Sequence, residues 1–474
     1  MNGRTLQPIH LLSAVAVAAT GALVVLNVPL AFAALGILVV VGVAAVATSD
    51  RREPERDAEP GDVLEPVDAG RLPTMWTAFL ATFVVFGLDF PALLSGTSGL
   101  RYALLIVPIA VVALSSHPER SRRHLRGADV VLAALTLWGL AGAVVGKFVT
   151  QPASSSLVIM LPMVIGLLHL WNRGRPTERD CSRMLAYVAT IGLAYVMIYL
   201  AATFSVGPLS VVAYSKEKAF LLALAPMAAF VTRRWWFLTF EVAALIAIFV
   251  KEPFATFVVV LAAVALTNAV LSMRSRALKA TALTLLGVTV LFGFSLALRP
   301  SQDSLVAQYF KAVGKADNTP FRTALFTKGI EEVEKHPVLG TSFTGEVAIQ
   351  TNFPGVARFA PAHNDFLQLA MAGGLTALAL YLVWVGATNR AAQRSYHLLV
   401  AREQPDAARL LRVLITGFNA FLFSSLVNPL LAGVGTAVMF FLLYGTLTVL
   451  FPDDVHRATR TRHTPEPHHA GVLQ

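Results

Sequence analysis

The chain is poor in cysteine and poor in charge. A single cysteine, Cys181, occurs among 474 residues, which excludes an internal disulfide and any thiolate metal cluster. Charged residues make up 14% of the composition, where a soluble domain carries about 25%. No spacing of His, Asp and Glu resembles a metal site, so no metal and no cofactor is expected. The formal charge of +10 is accompanied by no soluble basic domain and no aromatic platform, so nucleic acid is not an expected partner.

What fills the chain instead is apolar. Hydrophobic residues reach 56% and the mean hydropathy is +0.65. Apolar runs of about 20 residues, the length that crosses about 30 Å of hydrocarbon, recur from end to end between short charged loops. The pattern predicts an all-α fold: a polytopic transmembrane helix bundle of about 12–14 spans in one integral membrane domain, residues 1–474. The first run, "HLLSAVAVAATGALVVLNV", is longer than the apolar core of a cleaved signal, and a second run follows at once. A helical hairpin turning at Asn27 to Pro29 fits it better.

Arginine sets the expected orientation. Arg120, Arg122, Arg123 and Arg126 fall in one interhelical loop, and Arg173, Arg175, Arg179 and Arg183 in another. Arg233 with Arg234, then Arg274, Arg276 and Lys279, then Arg390, Arg394, Arg402, Arg409 and Arg412 mark three more. Even numbers of spans separate these groups, so all lie on one side. By the positive-inside rule that side is the cytoplasm, and both termini lie there. The charged segment from Ser49 to Thr74 reads as a mobile loop, and residues 453–474, with "HTPEPHH", as a disordered cytoplasmic tail.

The opposite face holds Lys147, Lys216, Lys218, Lys251, Arg299, Lys311, Lys315, Arg322, Lys328, Lys335 and Arg358. These cations run against the topological bias. An anionic ligand would explain them, and so would solvated loops with side chains snorkelling at helix ends.

Residues 300–364 form the one large outer loop, too long to be a mere connector. "FRTALFTKGIEEVEKH" has helical apolar spacing, with Leu325, Phe326, Ile330 and Val333 as its apolar stripe. Pro337 breaks that helix, and Gly340 and Gly345 supply turns. The loop then re-enters an apolar run through "AHNDFLQL". Asn364 or Asp365 suits the N-cap of that next helix. His363 is not explained by capping; an imidazole at an outward rim can take a proton near neutral pH, as a general base must. A purely structural interfacial histidine is the plainer alternative.

Three stretches together, "FRTALFTKGIEEVEKHPVLGTSF", the linking loop, and "AHNDFLQLAMAGGLTALALYLVW", resemble the C-terminal signature of the O-antigen ligase/polymerase superfamily. The shared features are Arg322 opening an amphipathic helix, the turn from His336 to Gly340, His363 with Asn364, and an apolar helix bearing Gly373 and Gly374. The resemblance covers about the last third of the chain. It implies a GT-C-like, metal-independent inverting glycosyltransferase of the bacterial inner membrane, acting at the periplasmic face. Its donor would be a glycan on undecaprenyl diphosphate. A ligase would use a lipid A-core acceptor, and a polymerase another lipid-linked repeat.

By the same resemblance Arg322 and His363 would be catalytic, and outer cations would hold the diphosphate. Arg322 serves there too, with Lys251 in "VKEPFATFVVVL" and Lys216 or Lys218 in "AYSKEKAFLLALAP". Glu252 and Pro253 depart from the family pattern, and Lys216 competes with Lys218. Asn364, Asp365 and His336 are expected as supporting residues. A secondary transporter is the rival from another class; no half-to-half repeat supports it. Asn268, Asn419, Asn428 and Glu241, polar within apolar runs, are expected to face the interior of the bundle.

Overall fold

A computed structural model describes residues 72–87, 126–149, 155–171, 176–204, 219–251, 267, 271, 319–341, 349–350, 359–360, 362–426, 430–431 and 434–451. The expected N-terminal hairpin, most of the 49–74 linker, the first part of the outer loop, the 453–474 tail, Lys216, Lys218, Asn268 and Asn428 lie outside these residues, as does the total number of spans.

The described residues are helical apart from one short ladder. In chain order they form α1 (Thr74–Gly87), α2 (Gly127–Val149), α3 (Ser155–Leu168) with a 3-10 turn at His169–Trp171, α4 (Glu178–Phe204), α5 (Ala219–Val231), α6 (Trp235–Lys251) and α7 (Thr319–Lys335). After the strands β1 (Ile349–Gln350) and β2 (Phe359–Ala360) come α8 (Asp365–Ala401), α9 (Pro405–Ser425) and α10 (Val434–Thr448). The strands pair antiparallel, Ile349 opposite Ala360, and pinch the segment between α7 and α8 just before His363. Among the described residues two helices, α8 and α9, are long and apolar enough to cross a membrane, and the apolar stretches Gly127–Gly142 and Gly435–Thr448 are shorter.

Packing centres on Trp384 of α8. Its ring lies 5.5 Å from Phe418, 5.7 Å from Phe440, 5.6 Å from Phe441 and 5.0 Å from Tyr444. Aromatic pairs at these separations each add about 0.5–1.5 kcal/mol beyond the area they bury. Helices α8, α9 and α10 are thereby joined through one side chain. Helix α2 packs on α8, α3 on α10, and the α4–α5–α6 group on α9. Asn419 and Glu241 are fully buried, as polar residues inside apolar runs should be. Asn419 Nδ2 donates to Thr267 Oγ1 at 3.1 Å.

Helix α8 is not straight. Gly374, within the first third of the helix, has φ 72° and ψ −178°, and the chain turns back there. Phe366 and Tyr381 are 15 residues apart, which in a continuous helix is about 22 Å of rise; their rings stand 5.7 Å apart. The arm before Gly374 therefore folds against the arm after it.

Groups exposed by this break are met by the turn that follows α7 and by Trp138 of α2. Leu375 N donates to the Pro337 carbonyl at 2.7 Å, and Thr341 N to the Met371 carbonyl at 2.8 Å. Trp138 Nε1 of α2 donates to the Gly373 carbonyl at 2.9 Å. In a low-dielectric setting an unmet backbone group is costly, so a broken helix persists only where protein supplies such partners. The contact is too close for side chains. A Cβ on Gly340, which has φ 58°, would stand 2.5 Å from the Gly374 nitrogen and the Met371 oxygen. A Cβ on Gly374 would collide with the Val338 carbonyl.

The sequence stripe on α7 needs one correction. The inward line is Phe321, Leu325, Gly329 and Val333, spaced four apart, with Leu325 buried and Gly329 closed against Leu367 and Met371. Ile330 is 39% exposed. A glycine at 329 lets α7 approach the first arm of α8 along a face that hydrophobicity alone would not select.

Candidate functional site

The approach to α8 is built from four consecutive residues. Ala362 N donates to the Gln368 side-chain oxygen at 2.9 Å, which holds the incoming chain against the helix it is about to enter. His363 then takes φ 54°, a left-handed conformation that costs a β-carbon-bearing residue. Asn364 returns to extended backbone, φ −154° and ψ 116°, and its Oδ1 accepts from Leu367 N at 3.0 Å. This is the N-cap, at the asparagine of the two residues that suited it.

Asn364 and Asp365 also tie down a second segment. Asn364 Nδ2 donates to the Leu426 carbonyl at 3.1 Å, and Asp365 Oδ1 accepts from Leu431 N at 2.9 Å. The connection between α9 and α10 is thus held at both of its ends by the start of α8. Asp365 is buried, and a carboxylate so placed needs such donors. The amide and the carboxylate are positioning residues.

Beside them lies the first turn of α7. The Phe321 ring meets the His363 imidazole edge-on, centroids 6.0 Å apart and planes at 75°. Arg322 follows Phe321 in the first turn of α7, so its backbone is one residue from that contact, while consecutive side chains on a helix face different ways. Arg322 is half-buried. Burial lowers the pKa of its guanidinium from the ordinary value, because withdrawal from water penalises the charge. Arginine stays protonated at neutral pH nonetheless. Among the described residues no carboxylate pairs with it.

The other sequence candidates are dispersed. His336 lies fourteen residues beyond Arg322 along α7, about 21 Å of helical rise. It is exposed, its N–H bonds the Val333 carbonyl and its own carbonyl accepts from Gly340 N at 2.9 Å, so its backbone forms the turn that meets Gly374. Lys251 is the last residue of α6, and its side chain lies outside the described atoms, as Lys216 and Lys218 do entirely. Lys335 is exposed and bonded to Glu332 at 2.5 Å, which raises its pKa; a screened surface pair of this kind has little value. Among the described residues no group of three or more His, Cys, Asp or Glu could hold a metal ion.

A second polar centre escaped the sequence reading. Asp129 Oδ1 accepts from Tyr444 OH at 2.9 Å and lies 3.0 Å from His169 Nε2. Asp129 Oδ2 accepts from Arg126 N at 3.2 Å. The guanidinium of Arg126 donates to the carbonyls of Thr448, at 2.8 Å, and Phe451, and lies over the Phe451 ring. His169 Nδ1 meets the Gly166 carbonyl. Four residues from three distant segments thus satisfy one another. Nothing in their spacing announces it, since Asp129 and Tyr444 are more than three hundred positions apart. The available signal was an aspartate in the first turn of an otherwise apolar helix.

No family model and no curated protein matches the chain.

Proposed function

We propose that the protein is a multi-pass inner-membrane glycosyltransferase that moves a glycan from undecaprenyl diphosphate to a lipid A-core sugar at the periplasmic face, an O-antigen ligase. What supports this reading is Arg322, half-buried and without a carboxylate partner among the described residues, next in sequence to Phe321, whose ring meets the left-handed His363. A half-buried cation with no carboxylate partner among the described residues suits an anionic ligand.

The chemistry follows from those groups. The acceptor hydroxyl oxygen attacks the anomeric carbon as the bond to the diphosphate oxygen breaks, and its proton passes to the His363 imidazole. Arg322 sits against the negative charge that accumulates on the departing diphosphate. A donor placed where charge develops is worth about 10²–10³ in rate, and a positioned base about 10²–10⁴. A single displacement inverts the anomeric centre without a covalent sugar intermediate.

The deciding experiment uses full-length protein in detergent, supplied with polyprenyl-diphosphate glycan and lipid A-core, without metal or nucleotide. Transfer is expected; a folded preparation inactive on several acceptors would overturn the enzyme reading. A strain lacking the protein should accumulate lipid-linked polymer unattached to core. Accumulation of single repeats would instead identify a polymerase, which would share the same donor site.

A further inference from the structure

The turn between α5 and α6 carries two arginines and a row of uncovered aromatic rings. Arg233 N donates to the Phe230 carbonyl at 3.1 Å and Arg234 N to the Ala229 carbonyl at 2.9 Å, which closes α5 in a Schellman arrangement. The residue just past such a helix end takes left-handed backbone and is usually glycine. Here it is Arg233, at φ 56°. The chain accepts that strain and leaves the side chain exposed. Arg234 is half-buried, with its guanidinium over the Phe237 ring at 5.2 Å.

The rings beside them face outward. Trp235 is 57% exposed, Trp236 79%, Phe240 55% and Phe230 49%. Phe230 and Trp235 stack edge to face at 6.1 Å, and Trp236 and Phe240, four apart, share one side of α6. Glu241 is the one acidic residue in 219–251, and it is buried, so the exposed tip carries positive charge and no negative charge of its own segment. Tryptophan and arginine at a helix end, rings above and guanidinium beside, match the boundary between acyl chains and head groups.

We infer that this turn is a binding site for the head group of an anionic phospholipid: Arg233 and Arg234 grip the phosphate, and Trp235, Trp236 and Phe240 lie against the glycerol and upper acyl chains. Guanidinium groups offer paired donors in the geometry that phosphate oxygens accept. The aromatic rings make the ligand a lipid and not a free phosphate, since a soluble anion would leave about as much apolar surface in water as before.

The test is native mass spectrometry of the full-length protein released from micelles doped with phosphatidylglycerol or phosphatidylcholine. Each arginine near an anionic surface is worth roughly fivefold in binding, so wild type should retain phosphatidylglycerol at least fivefold more than phosphatidylcholine. R233G relieves the left-handed strain while removing one charge. It should fold at least as well as wild type, by thermal melting, and lose about fivefold of the preference. R233A/R234A should abolish the preference, R233K/R234K should keep part of it, and R390A/R394A, another arginine pair of the same charge, should leave it intact. W236A should weaken retention of both lipids. Three results would overturn the site: a preference that survives R233G, a preference equally lost in R390A/R394A, or glycerol phosphate displacing the lipid at equal concentration.

Discussion

Arg126 and Arg322 each stand at the beginning of a helix, and the protein treats them in opposite ways. Arg126 has its guanidinium occupied by the carbonyls of Thr448 and Phe451 and the face of the Phe451 ring, while its N–H reaches Asp129, which Tyr444 and His169 also meet. Arg322 is half-buried with no carboxylate beside it among the described residues, and Phe321 before it meets His363, whose backbone is left-handed. A polar centre that serves the fold closes on itself, because buried groups without partners cost stability. Under the proposed function, Arg322 would instead keep its charge for an anionic substrate.

Substitutions should separate the two regions. The largest effect is expected from Asp129→Ala, which removes an acceptor from the Arg126 backbone N–H, the His169 ring and the Tyr444 hydroxyl. Removing one partner from a buried charged network costs about 3–5 kcal/mol, so the melting temperature in detergent should fall sharply while the surviving folded fraction transfers glycan at the wild-type rate. A loss of transfer without a loss of stability would dissolve the distinction. His363→Ala should do the reverse: transfer lower by about 10²–10⁴, read from initial rates, with the melting curve unmoved.

Arg322→Ala should lower transfer by about 10²–10³, again without unfolding, and Arg322→Lys should recover only part, since lysine offers a point charge in place of a two-pronged donor. A wild-type rate in Arg322→Ala would assign the arginine to snorkelling. The smallest effect belongs to Asn364→Ala, which removes a helix cap and the tie to Leu426. It should cost about 1–2 kcal/mol of stability and affect transfer only as far as His363 shifts, seen as a change in KM and kcat together.

Sequence patterns exposed some of this and hid the rest. Apolar run lengths led to an all-helical fold, and α8 and α9 have the lengths and apolarity expected. Arg322, His363 and Asn364 stood out because charged, titratable and capping residues are rare among apolar neighbours. Residue spacing also suited the N-cap to Asn364 or Asp365, and only backbone angles chose between them. Other features depend on contacts between distant segments. The tie from Asp365 to Leu431 and the meeting of Asp129 with Tyr444 are invisible to local periodicity. Gly329 escaped for a different reason: hydrophobic patterning gives weight to large side chains, and α7 instead approaches α8 where a side chain is missing.

The meeting of Gly340 with Gly374 links two parts of the gene product that variation would otherwise treat separately. A side chain on Gly340 would meet the backbone of Gly374 and Met371, and one on Gly374 the backbone of Val338 and Leu339, so neither position can enlarge unless the facing segment retreats. A chimera that imports the outer loop from another protein should therefore inherit a working hinge only if the segment containing Gly373 and Gly374 travels with it. Loop and helix form one heritable module, with its boundary beyond Leu375.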